Sequence, residues 1–128
     1  MDRLFISEKD ASFEVTAYVD RVGDDLLVLL SGGKAHVGAV GIAQARPSLS
    51  DPSQTSSTGS VITLPGHKED TIAKHLAERL SAKLGCGVVV VAGMHWEGLS
   101  QEGSERVLLL CARIGERIVE GLKGGIDG

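Results

Sequence analysis

From Phe13 to Asp20 apolar and polar side chains alternate, Phe13, Val15, Ala17 and Val19 against Glu14, Thr16, Tyr18 and Asp20. That period of two marks a strand with one face covered. The stretch Arg21-Val22-Gly23-Asp24-Asp25 then predicts a turn, and Leu26 to Leu30 is an unbroken apolar run of strand length closed by Ser31-Gly32-Gly33. An antiparallel meander accounts for both strands most simply. The next apolar run, 35–45, carries little side-chain volume, because Gly38, Gly41, Ala35, Ala39, Ala43 and Ala45 make up most of it. A strand stripped of side chains lets another backbone or a flat ligand approach. Residues 46–57 are rich in Ser, Thr, Pro and Gln without apolar periodicity. They predict one extended loop, and long ordered loops in compact domains are often functional. Thr58 to Leu64 reads as a further strand, stopped by Pro65-Gly66.

Beyond it the period changes. From His67 to Leu84, Ile72, Leu76, Leu80 and Leu84, with Ala73 and Ala77 beside them, recur every three to four residues, which predicts a helix about 27 Å long with one apolar face. Gly85 is placed to end it in the left-handed conformation. Gly87 to Ala92 holds four consecutive valines, the pattern of a central strand buried on both faces. Ser100 is placed to cap a second helix, with Val107, Leu108, Cys111, Ile114, Ile118 and Leu122 as its buried stripe and Gly124-Gly125 beyond its end. Strands followed by helix, strand and helix predict an α/β (α+β) two-layer domain: a mixed sheet of about five or six strands with both long helices packed on one face. The stretch from Thr58 to Ala92 is long enough for a parallel crossover, which makes the sheet mixed.

Composition narrows the classes. The 128 residues suit a single domain, 1–128, whose glycine-rich end at 124–128 is expected to be a flexible tail. Apolar residues at 42 % and charged residues at 23 % exclude disorder as a description of the chain. Thirteen Lys and Arg against 17 Asp and Glu give a net charge of −4 without a basic run, which argues against a nucleic-acid groove. No apolar stretch approaches the roughly 20 residues of a membrane span, and Met1-Asp2-Arg3-Leu4 does not open a leader segment, so a cytoplasmic protein is expected. Cys86 and Cys111 each sit in apolar segments and read as buried reduced thiols. Glycine, at 17 of 128 residues, is about twice as frequent as usual and exceeds what turns alone require.

Three polar clusters fall at the ends of predicted elements. Thr55-Ser56-Ser57-Thr58-Gly59-Ser60 offers hydroxyls and backbone N–H groups that can ligate phosphate oxygens, or equally serve local turns in a solvated loop. Leu64-Pro65-Gly66-His67-Lys68-Glu69-Asp70 leads a strand into a helix whose first N–H groups are unpaired, an anion site to which Lys68 adds a full charge. Glu69 and Asp70 also suit a purely structural helix start, whereas His67 and Lys68 oppose the dipole. His95-Trp96-Glu97 directly follows the valine strand, and ligands of open α/β sheets bind beyond the carboxyl ends of strands. If the strands at 58–64 and 87–92 run parallel, His67 and His95 face one pocket. Trp96 can stack on a planar ring, anchor an interface or fill the core. A metal site would require His36, His67, His95 and Glu97 to converge. Neither a G-x-S-x-G elbow, a G-x-x-x-x-G-K-S/T loop nor a G-x-G-x-x-G fingerprint is present.

Taken in order, Ala35-His36-Val37-Gly38-Ala39-Val40, Ala45-Arg46-Pro47-Ser48-Leu49, Ser56-Ser57-Thr58, Leu64-Pro65-Gly66-His67-Lys68-Glu69-Asp70 and the valine run ending in Gly93-Met94-His95-Trp96-Glu97 resemble one family. It is the prenylated flavin chaperone family, the small accessory chain of gallate and hydroxyarylic-acid (UbiD-type) decarboxylase systems, and the likeness spans roughly residues 24–122. The resemblance implies a cytoplasmic homo-oligomer that binds prenylated flavin mononucleotide (prenylated FMN), or FMN, and assists its delivery to a large decarboxylase subunit. The flavin prenyltransferase is a second implied partner; nucleic acid and membrane are not. The implied cofactor-binding residues are His36, Arg46, Ser56, Ser57, Thr58, Gly66, His67, Lys68, His95 and Trp96, with no catalytic residue and no metal. A flavin's dianionic phosphate suits the hydroxyl cluster and Lys68 together, and its ring suits the thin strand near Gly38 and Gly41, or Trp96. Glu97 stands where the family pattern has aspartate, which leaves that carboxylate without an assigned role. The alternative is a small enzyme using His67 and His95 as acid and base, or as metal ligands, on a phosphorylated or aromatic substrate.

Overall fold

In the computed structural model, which describes residues 3–64 and 70–123, the chain runs β1 (Arg3–Asp10), β2 (Phe13–Val22), β3 (Asp25–Gly33), β4 (Ala39–Pro47), β5 (Thr55–Thr63), α1 (Asp70–Leu84), β6 (Val88–His95) and α2 (Gln101–Gly121). The strands form one six-stranded sheet in the order β1-β2-β3-β6-β4-β5. Every neighbouring pair is antiparallel except β3 and β6, so the sheet is mixed as expected. Because β6 lies between β3 and β4, the segment 34–38 that joins those two must cross the end of β6. Lys34 N donates to the carbonyl of His95 at 2.8 Å on one side, and Gly38 N donates to that of Ala92 at 2.9 Å on the other. β5 and β6 point the same way with β4 between them, so the helical crossover exists but its two strands are not paired with each other.

Both helices cover one face, α1 over β4, β5 and β6 and α2 over β1 and β2. Ile6, Val15, Val19, Val28 and Val90 of the sheet are buried beneath Leu80, Leu110, Ile114 and Ile118. The thin strand has its explanation here: a Cβ on Gly41 would stand 2.5 Å from the carbonyl oxygen of Ala73, so the backbone of α1 occupies the space that missing side chains leave on β4. That bare surface is filled by a helix and does not receive a ring. α1 ends at Gly85 with φ +68°, and Ser100 caps α2 by accepting from Gly103 N at 3.0 Å.

Several expectations are corrected. The expected loop 46–57 is shorter than its sequence suggests: β4 runs to Pro47 and β5 starts at Thr55, so seven of its twelve residues, 48–54, are loop, tightened by Ser48 N donating to Gln54 O at 2.8 Å. β5 is an edge strand of small polar residues, so the apolar alternation that marks half-covered strands is missing from it. Leu108 is 51 % exposed and Leu110 takes its place in the buried stripe of α2. Cys86 is half-buried where full burial was expected, whereas Cys111 is buried. The valine run is central, but only Val88 and Val90 lie under the helices; Val89 and Val91 are half-buried on a face that carries no helix. The tail 124–128 lies outside the described residues.

Candidate functional site

The chemistry-bearing residues fall at two ends of the sheet. One end gathers the carboxyl ends of β3, β5 and β6. Here the 34–38 crossing rests on Gly93, where an added Cβ would overlap the carbonyl oxygen of His36, so a glycine is the residue that admits the crossing. His36 Nδ1 lies 3.2 Å from the carbonyl oxygen of Lys34. His95 pairs with Gly33 across the parallel ladder, and its Nε2 lies 3.2 Å from Glu97 Oε1, with the two side chains 53 % and 97 % exposed. Leu64 N donates to Gly38 O at 2.9 Å and ties the end of β5 to the same place. α1 starts at this end as well, because Ala73 lies over Gly41 while Glu78, further along, lies over Gly59, and Gly41 pairs with Val61, nearer the end of β5. His36, His95 and the start of α1 therefore share one end of the fold. Gly66, His67 and Lys68 lie outside the described residues.

Trp96 is also at this end, but its ring is engaged. It meets Phe13 edge-on, with centroids 5.5 Å apart, and lies so close over Gly32 and Gly33 that a Cβ on Gly32 would come within 2.7 Å of it. The tryptophan closes the end of the core, and the paired glycines make room for it.

The other end holds Arg46, Ser56, Ser57 and Thr58, which alternate across the sheet. Arg46 and Ser56 are cross-strand partners, and Arg46 Nε donates to Thr58 Oγ1 at 2.6 Å while its Nη1 donates to Pro47 O at 3.0 Å. Ser57 points to the helical face, where its Oγ donates to the carbonyl of Glu78 at 2.7 Å and fastens β5 to α1. Glu78 is two turns into α1, and Thr58 is six residues from Leu64, about 20 Å along a strand. The hydroxyl cluster thus lies away from the end where α1 begins; Lys68, expected to share a phosphate with it, lies outside the described residues. Sequence alternation on β5 held the reason, but it is unreadable until the segment is known to be a strand.

On the helix-free face near this second end is a shallow hollow of about 690 Å³ lined by Leu27, Val89, Ile42, Gln44, Thr58 and Ser60 among others. The hydroxyl cluster supplies Thr58 and Ser60, whereas reading the chain by clusters misses Leu27, Val89, Ile42 and Gln44, each unremarkable alone. Among the described residues no group of three or more His, Cys, Asp or Glu is placed to hold a metal ion. Neither thiol is poised as a nucleophile: burial pushes Cys111 up to about 12, and burial, helped by the Asp25 carboxylate, raises Cys86. Among the described residues no helix is long and apolar enough to cross a membrane.

A family model described as the prenylated flavin chaperone LpdD-like domain matches residues 9–123. No curated protein matches the chain. Among solved structures, the chain is similar to one from the structure titled "Crystal Structure of a Novel Chaperone Complex for Yeast 20S Proteasome Assembly". The TM-score is 0.54 and the identity 13 %, over 95 % of this chain and 94 % of that one. At that identity the likeness is one of fold.

Proposed function

The chain belongs to the prenylated flavin chaperone LpdD-like family, and on that premise we propose that it holds prenylated FMN at the histidine end of its sheet and passes it to a large aromatic-acid decarboxylase of the UbiD type. The observation that carries the assignment to this end is the 34–38 crossing on Gly93, which sets His36 at the end of the sheet where β6 finishes in His95, where β3 and β5 also finish, and where α1 begins. Open α/β sheets bind ligands in that position. The first amides of α1 and the helix dipole favour an anion there, and the sequence leading into α1 supplies Gly66, His67 and Lys68. Imidazole groups at His36 and His95 can hydrogen-bond the polar edge of a flavin or its phosphate. A carrier needs affinity and release; the half-exposed side chain of His95 sits where a ligand can leave without the core opening. The role asks no bond-making step of any residue. The carrier acts in the cytoplasm as a homo-oligomer, and it meets the flavin prenyltransferase when it loads.

Titration of the full chain with prenylated FMN and with FMN, followed by the flavin absorption spectrum, tests the reading. His36→Ala and His95→Ala should each weaken binding of the accepted flavin at least tenfold while the far-UV circular dichroism stays that of the parent. Parental affinity in both variants, or no spectral change with either flavin at high micromolar concentration, rejects it.

A further inference from the structure

We propose that the chain has a second ligand site, for a small monocarboxylate with an apolar body, in a cavity built around Arg21 at the end of the sheet opposite His36 and His95. The inward-facing side chains of β2 run Val15, Ala17, Val19 and then Arg21. The first three are buried hydrophobics on the helix-covered face, and the fourth continues their row with a cation. Arg21 is half-buried, and its Nε is a buried nitrogen that has no hydrogen-bond partner among the described residues. Every other arginine of the chain meets a carboxylate or a hydroxyl: Arg3 meets Asp20, Arg46 meets Thr58, Arg79 meets Glu116, Arg106 meets Glu102, and Arg113 and Arg117 meet Glu8. A buried N–H left unpaired is costly, and native folds seldom keep one without a use.

The surroundings of the arginine select the ligand. Lys83 and Lys123 share its cavity of about 280 Å³, and Leu26, Leu84 and Leu122 give that cavity apolar walls. Cys86 lines it too; burial and the Asp25 carboxylate raise this thiol while Arg21 lowers it, so the guanidinium charge reaches the sulfur. Lys83 lies in the last turn of α1 and Lys123 directly follows α2, where each complements a negative helix end. Arg21 stands on a strand and has no such role. The two helix ends, Asp24 in the cavity wall and Asp25 beside Cys86 offset most of the three positive charges, and the small surplus suits one negative charge better than a phosphate dianion. A guanidinium fork matches a carboxylate in two parallel hydrogen bonds, and the leucines match an apolar body. The volume falls just below the roughly 300–1,000 Å³ of ordinary ligand pockets, which keeps that body small. Here β2 ends and β3 and β6 begin, so the cavity shares no residue with the histidine end and the inference does not rest on the flavin reading.

Benzoate titrated into the full chain, followed in proton–nitrogen correlation spectra of the arginine Nε groups, provides the test. The Arg21 Nε signal should shift saturably at micromolar to low millimolar benzoate. Acetate, which lacks the apolar body, should bind at least tenfold more weakly, and inorganic phosphate should move the signal no more than sodium chloride does at equal ionic strength. Saturating benzoate should also slow iodoacetamide alkylation of Cys86 at least fivefold, a protection that reads affinity in the variants. Arg21→Met keeps the apolar stem and removes the guanidinium; it should lose at least tenfold in benzoate affinity with no fall in the thermal midpoint, whereas an arginine kept for the fold would lower that midpoint. Lys123→Ala, at an exposed position beyond α2, should lose about threefold and remains informative if Arg21→Met fails to fold. Arg113→Gln, on the outer surface of α2, should keep the parental affinity. No saturable shift of the Arg21 signal at high millimolar benzoate, phosphate binding as tightly as benzoate, or parental affinity in folded Arg21→Met overturns the proposal.

Discussion

Cys111 shows how far a single buried group ties stability to pH. Its thiol lies against the sheet on the inner side of α2, and burial moves its pKa from 9.0 to about 12. The folded state therefore favours the neutral thiol. Its stabilising effect is complete below about pH 9, where the thiol is neutral whether the chain is folded or not. Between pH 9 and pH 12 the unfolded chain releases a proton that the folded chain retains, and stability falls by up to about 1.4 kcal/mol per pH unit from this group. Denaturant unfolding from pH 8 to pH 10.5 should show a decline that is shallower in Cys111→Ala; identical slopes would mean that the thiol is ionised or hydrated in the fold. Cys86, half-buried at the edge, should alkylate first in the native protein. Neighbouring residues can divide labour completely: Ser57 binds α1 through the Glu78 carbonyl while Ser56 and Thr58 face the other way.

At the scale of elements, α2 is the most fully specified. Its Ser100 cap, its acidic first-turn Glu102 and its apolar stripe agree with one another. Ser100→Ala should remove the acceptor of the 3.0 Å bond from Gly103 N and cost about 1 kcal/mol of stability, measured by urea unfolding; a loss below about 0.3 kcal/mol would show that water satisfies that amide equally well. The two helices, the meander of β2 and β3 and the central valine strand are all legible from period and punctuation. β1 is harder, because Leu4 and Ile6 pack under α2 while Phe5 is exposed on the other face, so no alternation stands out. β5 reads as partly loop because an edge strand solvated along its length has no hydrophobic signal. The glycine-alanine run correctly announces a close approach, but periodicity does not say that the approaching object is the backbone of α1 at Ala73. Leu108 stands in for Leu110 because adjacent leucines at 108, 109 and 110 allow the stripe to be drawn through either.

Across the whole molecule, the candidate residues that sequence order places together belong to opposite ends of the sheet, and this separation is itself testable. His36, His95 and the start of α1 share the tips of β3, β5 and β6, whereas Arg46 is about seven residues of strand away and already donates to Thr58 and to the Pro47 carbonyl. Those bonds brace the hairpin end of an exposed edge, which explains the arginine without a ligand. Arg46→Ala should therefore leave flavin affinity within twofold of the parent while His95→Ala loses tenfold or more, both read from the same absorption titration. An arginine–phosphate contact carries a charge-assisted hydrogen bond of about 1.5–3 kcal/mol, so a phosphate seated at the hairpin would lose about ten- to a hundredfold in the arginine variant. A result of that size at Arg46, with no loss at His95, would move the flavin from the histidine end to the hollow on the helix-free face, where Thr58 and Gln44 lie among the lining residues.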